Sequence, residues 1–128
     1  MTPQQLREIA LNYLKRFEAS EATFRTMLRR RISLYAVYDK DFDKKEAYRW
    51  AEEIVKEFIE RKYIDDKRFA EIKTRRYIEN CRSPRYILGK LQEKGINKQI
   101  ATDILEQQAY DPADAAKQLM RRKKIGPY

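Results

Sequence analysis

The chain has 128 residues, with 29 Lys and Arg against 20 Asp and Glu, a net charge of +9, three Gly, one Cys and no His. That length fits one domain or two very small ones. Without His there is no Ser-His-Asp triad and no His-ligated metal; one Cys excludes an internal disulfide and a zinc knuckle; Gly89, Gly95 and Gly126 are too scattered for a P-loop or a dinucleotide fingerprint.

The punctuation of helices is clear along the chain. Thr2-Pro3 reads as an N-cap followed by Pro at the first helical position, opening a helix to about Phe17. Ser20 caps a second, with Phe24, Met27 and Leu28 as its apolar stripe. Ser33 to Asp43 is expected to be a connection carrying Tyr35 and Tyr38. Asp43 with Glu46 is a capping-box pattern that opens a third helix to about Arg61, with Trp50 on its apolar stripe as a core residue. Asp65 is the expected N-cap of a fourth, to about Asn80. Ser83-Pro84 caps a fifth that stops at Gly95, a residue suited to the left-handed end of a helix. Asn97 caps a sixth, carrying Ile100, Ala101, Ile104 and Leu105. Asp111-Pro112 opens a seventh toward Arg122. No run alternates with period two, so the fold class is all-α.

The chain also repeats itself weakly. A shift of about 63 positions brings Ser20 onto Ser83, Phe24 onto Ile87, Leu28 onto Leu91 and Arg31 onto Lys94. The expected architecture is therefore tandem three-helix repeats: a first over 1–62, a second over 63–108, and the truncated start of a third over 109–128. Each has a small core of its own, and stacked neighbours would form an elongated helical array.

Tyr63-Ile64-Asp65-Asp66, then Arg68-Phe69-Ala70, Arg76, Ser83, Leu91 and Lys94-Gly95-Ile96 together resemble the RecX regulatory proteins. Ala10 to Leu14, Ser20, Leu28 and Arg31 are similar to that family's first repeat. The likeness runs over roughly residues 6 to 122, and the ordered set is more specific than any one motif. It implies tandem three-helix repeats and a regulator without catalytic residues. Such a regulator lies in the groove of the RecA–single-stranded-DNA filament and inhibits strand exchange, ATPase and coprotease activity. The implied partners are the RecA filament and single-stranded DNA, with double-stranded DNA a further candidate; the implied state is a cytoplasmic monomer. No cofactor is implied. The sequence departs from the family pattern where Arg30-Arg31-Ile32 replaces a Lys-Gly ending, in the long connection after Ser33, and in the short third repeat.

Charge patterning points to the same class of partner. Asp39 to Glu60 holds eight acids and five bases, whereas Lys67 to Lys94 holds nine bases and three acids. Further bases cluster at Arg29–Arg31 and Arg121–Lys124. A polyanion gains from counterion release along such a surface. Arg25, Arg29, Lys73, Arg75, Arg82, Arg85 and Lys90 are the expected anion or partner contacts. Arg76, which matches a family position, has two readings: contact, or structural pairing with Asp65 or Asp66. Tyr13, Phe24, Phe69 and Tyr77 are expected in the core, and Cys81 is read as an incidental thiol. A second reading takes helices five and six, joined at Gly95, as a helix-turn-helix in a stand-alone DNA-binding module with largely non-specific affinity; two acids on the sixth helix, Asp103 and Glu106, oppose phosphate approach. The uncharged run Ser33–Tyr38 is far too short to span a membrane, and the polar N-terminus carries no signal-peptide pattern, so a soluble protein of a reducing compartment is expected.

Overall fold

The structure, a computed structural model, describes residues 1–108. The expected seventh helix, the third repeat over 109–128 and the basic run Arg121–Lys124 lie outside the described residues. Among those described there are six helices and no strand. Their packing divides the chain into two units, with the break between Asp66 and Lys67.

In the first unit, Thr2 opens α1 (Pro3–Arg16) with a complete capping box. Its hydroxyl accepts from the Gln5 N–H at 3.2 Å, and the Gln5 side chain accepts from the Thr2 N–H at 3.0 Å. Ser20 caps α2 (Glu21–Tyr38), accepting from the Thr23 N–H at 3.3 Å. Asp43 caps α3 (Lys44–Glu60), accepting from the Glu46 N–H at 3.2 Å. α3 packs against both α2 and α1. The core between them holds Leu6, Ala10, Phe24, Leu28, Ile32, Ala47, Ala51, Val55 and Phe58. These lie at the helical spacing that the apolar stripes require.

One connection is corrected. Ser33 to Tyr38 is helical, and only Asp39 to Asp43 links α2 to α3. Ser33 is not a stop here: Ile32 is buried, the Ser33 hydroxyl lies 2.9 Å from the Tyr48 hydroxyl, and no Gly or Pro interrupts the run. The absent Lys-Gly ending has the same explanation, since α2 continues through Arg30-Arg31-Ile32. Tyr35 meets Phe42 edge-on at 4.8 Å, and Phe42 meets Trp50 at 6.2 Å. Trp50 is half-buried in that rim cluster and does not enter the core. Tyr38, at the end of α2, is 90% exposed.

In the second unit, α4 (Asp66–Glu79), α5 (Pro84–Glu93) and α6 (Lys98–Gln107) enclose Phe69, Ala70, Ile87, Leu91, Ile96, Ala101 and Ile104. Ser83 caps α5 by accepting from the Tyr86 N–H at 3.1 Å, and Asn97 caps α6 by accepting from the Gln99 N–H at 2.7 Å. The repeat seen at a shift of 63 is thus physical. Ser20 and Ser83 are equivalent caps, Phe24 and Ile87 are both fully buried, and so, within 1%, are Leu28 and Leu91.

Three helices end in the same way. After α3, α4 and α5, a residue in the left-handed region (Lys62, Cys81 and Gly95) is followed by one whose N–H reaches back six residues' span: Tyr63 to the Phe58 carbonyl, Arg82 to that of Tyr77, Ile96 to that of Leu91. This is the Schellman motif. Gly95 was legible as such an end; Lys62 and Cys81 carry side chains at φ 61° and 58°, a conformation that costs a non-glycine residue about 1 kcal/mol. Cys81 is therefore a turn-forming position. Cys81→Gly is expected to raise stability by up to about 1 kcal/mol in urea unfolding, the relief of that strain being partly offset by the greater freedom of glycine in the unfolded chain; a destabilised variant would show the side chain is needed there.

Asp66 is the acid in the first turn of α4, and its carboxylate also accepts from the Glu21 N–H at 2.7 Å, satisfying a free donor at the start of α2. Burial raises its pKa above the ordinary carboxylate value, and the Glu21 N–H works against that rise. An acid held above its unfolded pKa binds its proton more tightly when folded. Stability therefore falls as pH rises from the ordinary carboxylate value through the raised one, then levels off. Asp66→Asn keeps an oxygen acceptor and removes the ionisation, so it should melt no lower than the native chain at neutral pH and lose that acidic-range slope. Asp66→Ala should lose the acceptor, about 1 kcal/mol at neutral pH, and the acidic-range slope with it. An Asn variant as damaged as Ala would show that the ionised oxygen is required.

Candidate functional site

The end of α4 and the start of α5 gather cations around one ring. The left-handed turn at Cys81 brings Arg82 back over α4, its N–H on the Tyr77 carbonyl at 2.9 Å, and Ser83 and Pro84 start α5 at once. Tyr86 follows one turn later and Lys90 one turn after that. The Arg82 guanidinium lies 4.9 Å and the Lys90 ammonium 5.5 Å from the centre of the Tyr86 ring. Tyr77 supports the same ring edge-on at 5.6 Å. Tyr86 stays partly exposed, and Arg85 beside it is exposed. Each cation–ring contact is worth about 0.5–1 kcal/mol at such a surface. The free amides at the start of α5 add positive potential. The result is an anion-attracting, ring-bearing surface with two half-fixed cations.

The other expected residues fall in different surroundings. Lys73 is half-buried, its ammonium 5.8 Å from the Phe69 ring centre. Arg75 and Arg76 are exposed, and neither has an ion pair among the described residues. Lys90 also meets Glu93 at 3.4 Å. Arg25 is committed within the first unit: it meets Glu52 at 2.8 Å and Glu21 at 3.3 Å, and its pKa is raised, chiefly by the hydrogen bond to Glu52. Arg29 is exposed, 3.9 Å from Glu52 and 5.3 Å from the Tyr48 ring centre. The acids of α3 thus neutralise bases of α1 and α2, since Glu57 likewise holds Arg7 at 2.9 Å. The local charge balance of Asp39 to Glu60 does not describe an acidic face.

The rings of Tyr86 and Tyr77 were not singled out for this site. The signal was present in part: 86 and 90 place a ring and a cation on successive turns of one stripe, with Arg82 just before the cap of that helix.

Residues 65–105 match the family model for the second three-helix domain of RecX. The whole chain is 27% identical, over 130 residues, to the regulatory protein RecX of Myxococcus xanthus, of which it covers 69%. It is 31% identical over 116 residues to the regulatory protein RecX of Listeria innocua, with 88% of this chain and 38% of that one aligned. The crystal structure of RecX from Lactobacillus salivarius superposes with a TM-score of 0.69 at 25% identity, over 98% of this chain and 77% of that one. Six helices in this order, the repeat of caps and core positions, and these three likenesses all point to the RecX family.

Proposed function

We propose that the chain is a non-catalytic regulator that binds the RecA–single-stranded-DNA filament and inhibits the recombinase in strand exchange, ATPase and coprotease activity. The observation that carries this reading is a coincidence of place. Residues 65–105, which match the RecX domain, also hold exposed Arg82 and Arg85 and half-buried Lys90 around Tyr86. The filament presents phosphate and acidic protein surface, and a cationic row speeds approach to both. Repeats over 1–62 and 63–108, with a third from 109, would supply successive contacts along it. The reading places the protein in the cytoplasm as a monomer; no helix among the described residues is long and apolar enough to cross a membrane.

The test is RecA ATPase on single-stranded DNA with increasing amounts of this chain at two salt concentrations. Inhibition below one chain per recombinase protomer is the expected result. No inhibition at either salt sinks the reading. A second reading, a stand-alone DNA-binding module, draws on α5 and α6 meeting at Gly95. It ranks lower because Asp103 and Glu106 are exposed on α6, where phosphate would have to approach.

A further inference from the structure

In the first unit Arg7, Arg25, Arg29, Arg49 and Arg61 each meet a carboxylate. Among the bases that meet none within the described residues, Lys15, Arg16 and Arg31 come together: all three line one open cleft of about 550 Å³. The cleft is bounded by the last two turns of α1 and by Arg31 of α2, and no carboxylate lines it among the described residues. Lys15 and Arg16 also suit the C-terminal end of α1. Arg31 sits in the middle of α2, where the helix dipole gives it nothing.

The same cleft holds Tyr13, Phe17 and the amide of Asn12. Phe17 is 55% exposed, and its ring lies 5.1 Å from that of Tyr13. It ends α1 in extended backbone, with its N–H on the Tyr13 carbonyl at 2.9 Å, so the ring is held at the mouth of the cleft. Unneutralised cations beside an exposed ring fit a ligand that is both anionic and planar, and the volume falls within the range of small-ligand sites. We propose that this cleft binds single-stranded nucleic acid, with a base on Phe17 and neighbouring phosphates on Lys15, Arg16 and Arg31. A duplex keeps its bases stacked on each other and cannot offer one to Phe17. A strand, unlike a free nucleotide, supplies a separate phosphate to each cation. The site is distinct from the Tyr86 surface, and its test contains no recombinase.

The experiment is fluorescence anisotropy of a labelled 15-residue oligo-dT with the full chain. Phe17→Ala is expected to weaken binding about fivefold or more, the low end of a lost base–ring stack, and Phe17→Tyr to retain it. Lys15→Ala with Arg31→Ala should lower the slope of log affinity against log salt by about 1.4, the value for two phosphate contacts on a single strand. All three side chains are exposed, and thermal melts of the variants should match the native chain. Native-like affinity in Phe17→Ala, or an unchanged slope in the double variant, overturns the proposal. So does absence of binding, equal affinity for a duplex of the same length, or complete displacement of the strand by an equal concentration of ATP.

Discussion

Phe58→Ala is expected to cost about 3–5 kcal/mol, the range for emptying a fully buried aromatic site. Phe58 is 0% exposed, and its ring lies 5.7 Å from Phe24 and 5.2 Å from Tyr63. Its carbonyl accepts from the Tyr63 N–H at 2.8 Å and the Ile64 N–H at 3.2 Å, closing the turn after α3. The ring thus packs α2 onto α3 and steadies a turn strained at Lys62. Small domains are stable by about 5–15 kcal/mol, so the variant should lose much of its first unit at moderate urea. Phe58→Leu, which retains most of the volume, should lose far less. Circular dichroism against urea measures both, and a loss below about 1 kcal/mol for Ala would show that the site collapses around the gap.

Arg82→Glu with Arg85→Glu should raise the amount of protein needed for half-inhibition of RecA ATPase at least tenfold. Two exposed cations become two anions beside Tyr86, and like charges then face the filament. Tyr86→Ala should weaken inhibition less, because the cations remain. The control is Lys44→Glu with Lys45→Glu at the exposed start of α3, which should inhibit as the native chain does. Unimpaired inhibition by the Arg82 and Arg85 variant, with its melting temperature unchanged, would move the interface away from α5.

The caps at Thr2, Ser20, Asp43, Ser83 and Asn97 were legible because each is a local side-chain bond to its own helix. The buried stripes were legible for the same reason, as a period within one helix. What escaped was decided elsewhere in the fold. Arg25 looked available until Glu52, 27 positions on, was seen to hold it. Asp66 is the first-turn acid of α4, but nothing local showed that its oxygen also serves Glu21, 45 positions back. Ser33 looked like punctuation, but Tyr48 and the Phe42 ring keep the helix going past it. Cys81 concealed its left-handed turn because the residue that usually announces one is glycine. Of the candidate site, the cations were legible and the ring that gathers them was not.

The unequal second helices of the two repeats have an architectural consequence. Ser20 and Ser83 open equivalent helices, yet α2 has 18 residues and α5 has 10. At 1.5 Å per residue the first reaches about 12 Å farther than its counterpart. The repeats are therefore no longer interchangeable copies: a chain built from two second units would lack the longer arm, and one built from two first units would have an arm too many. A partner that engages the second helix of a repeat can therefore tell the first unit from the second.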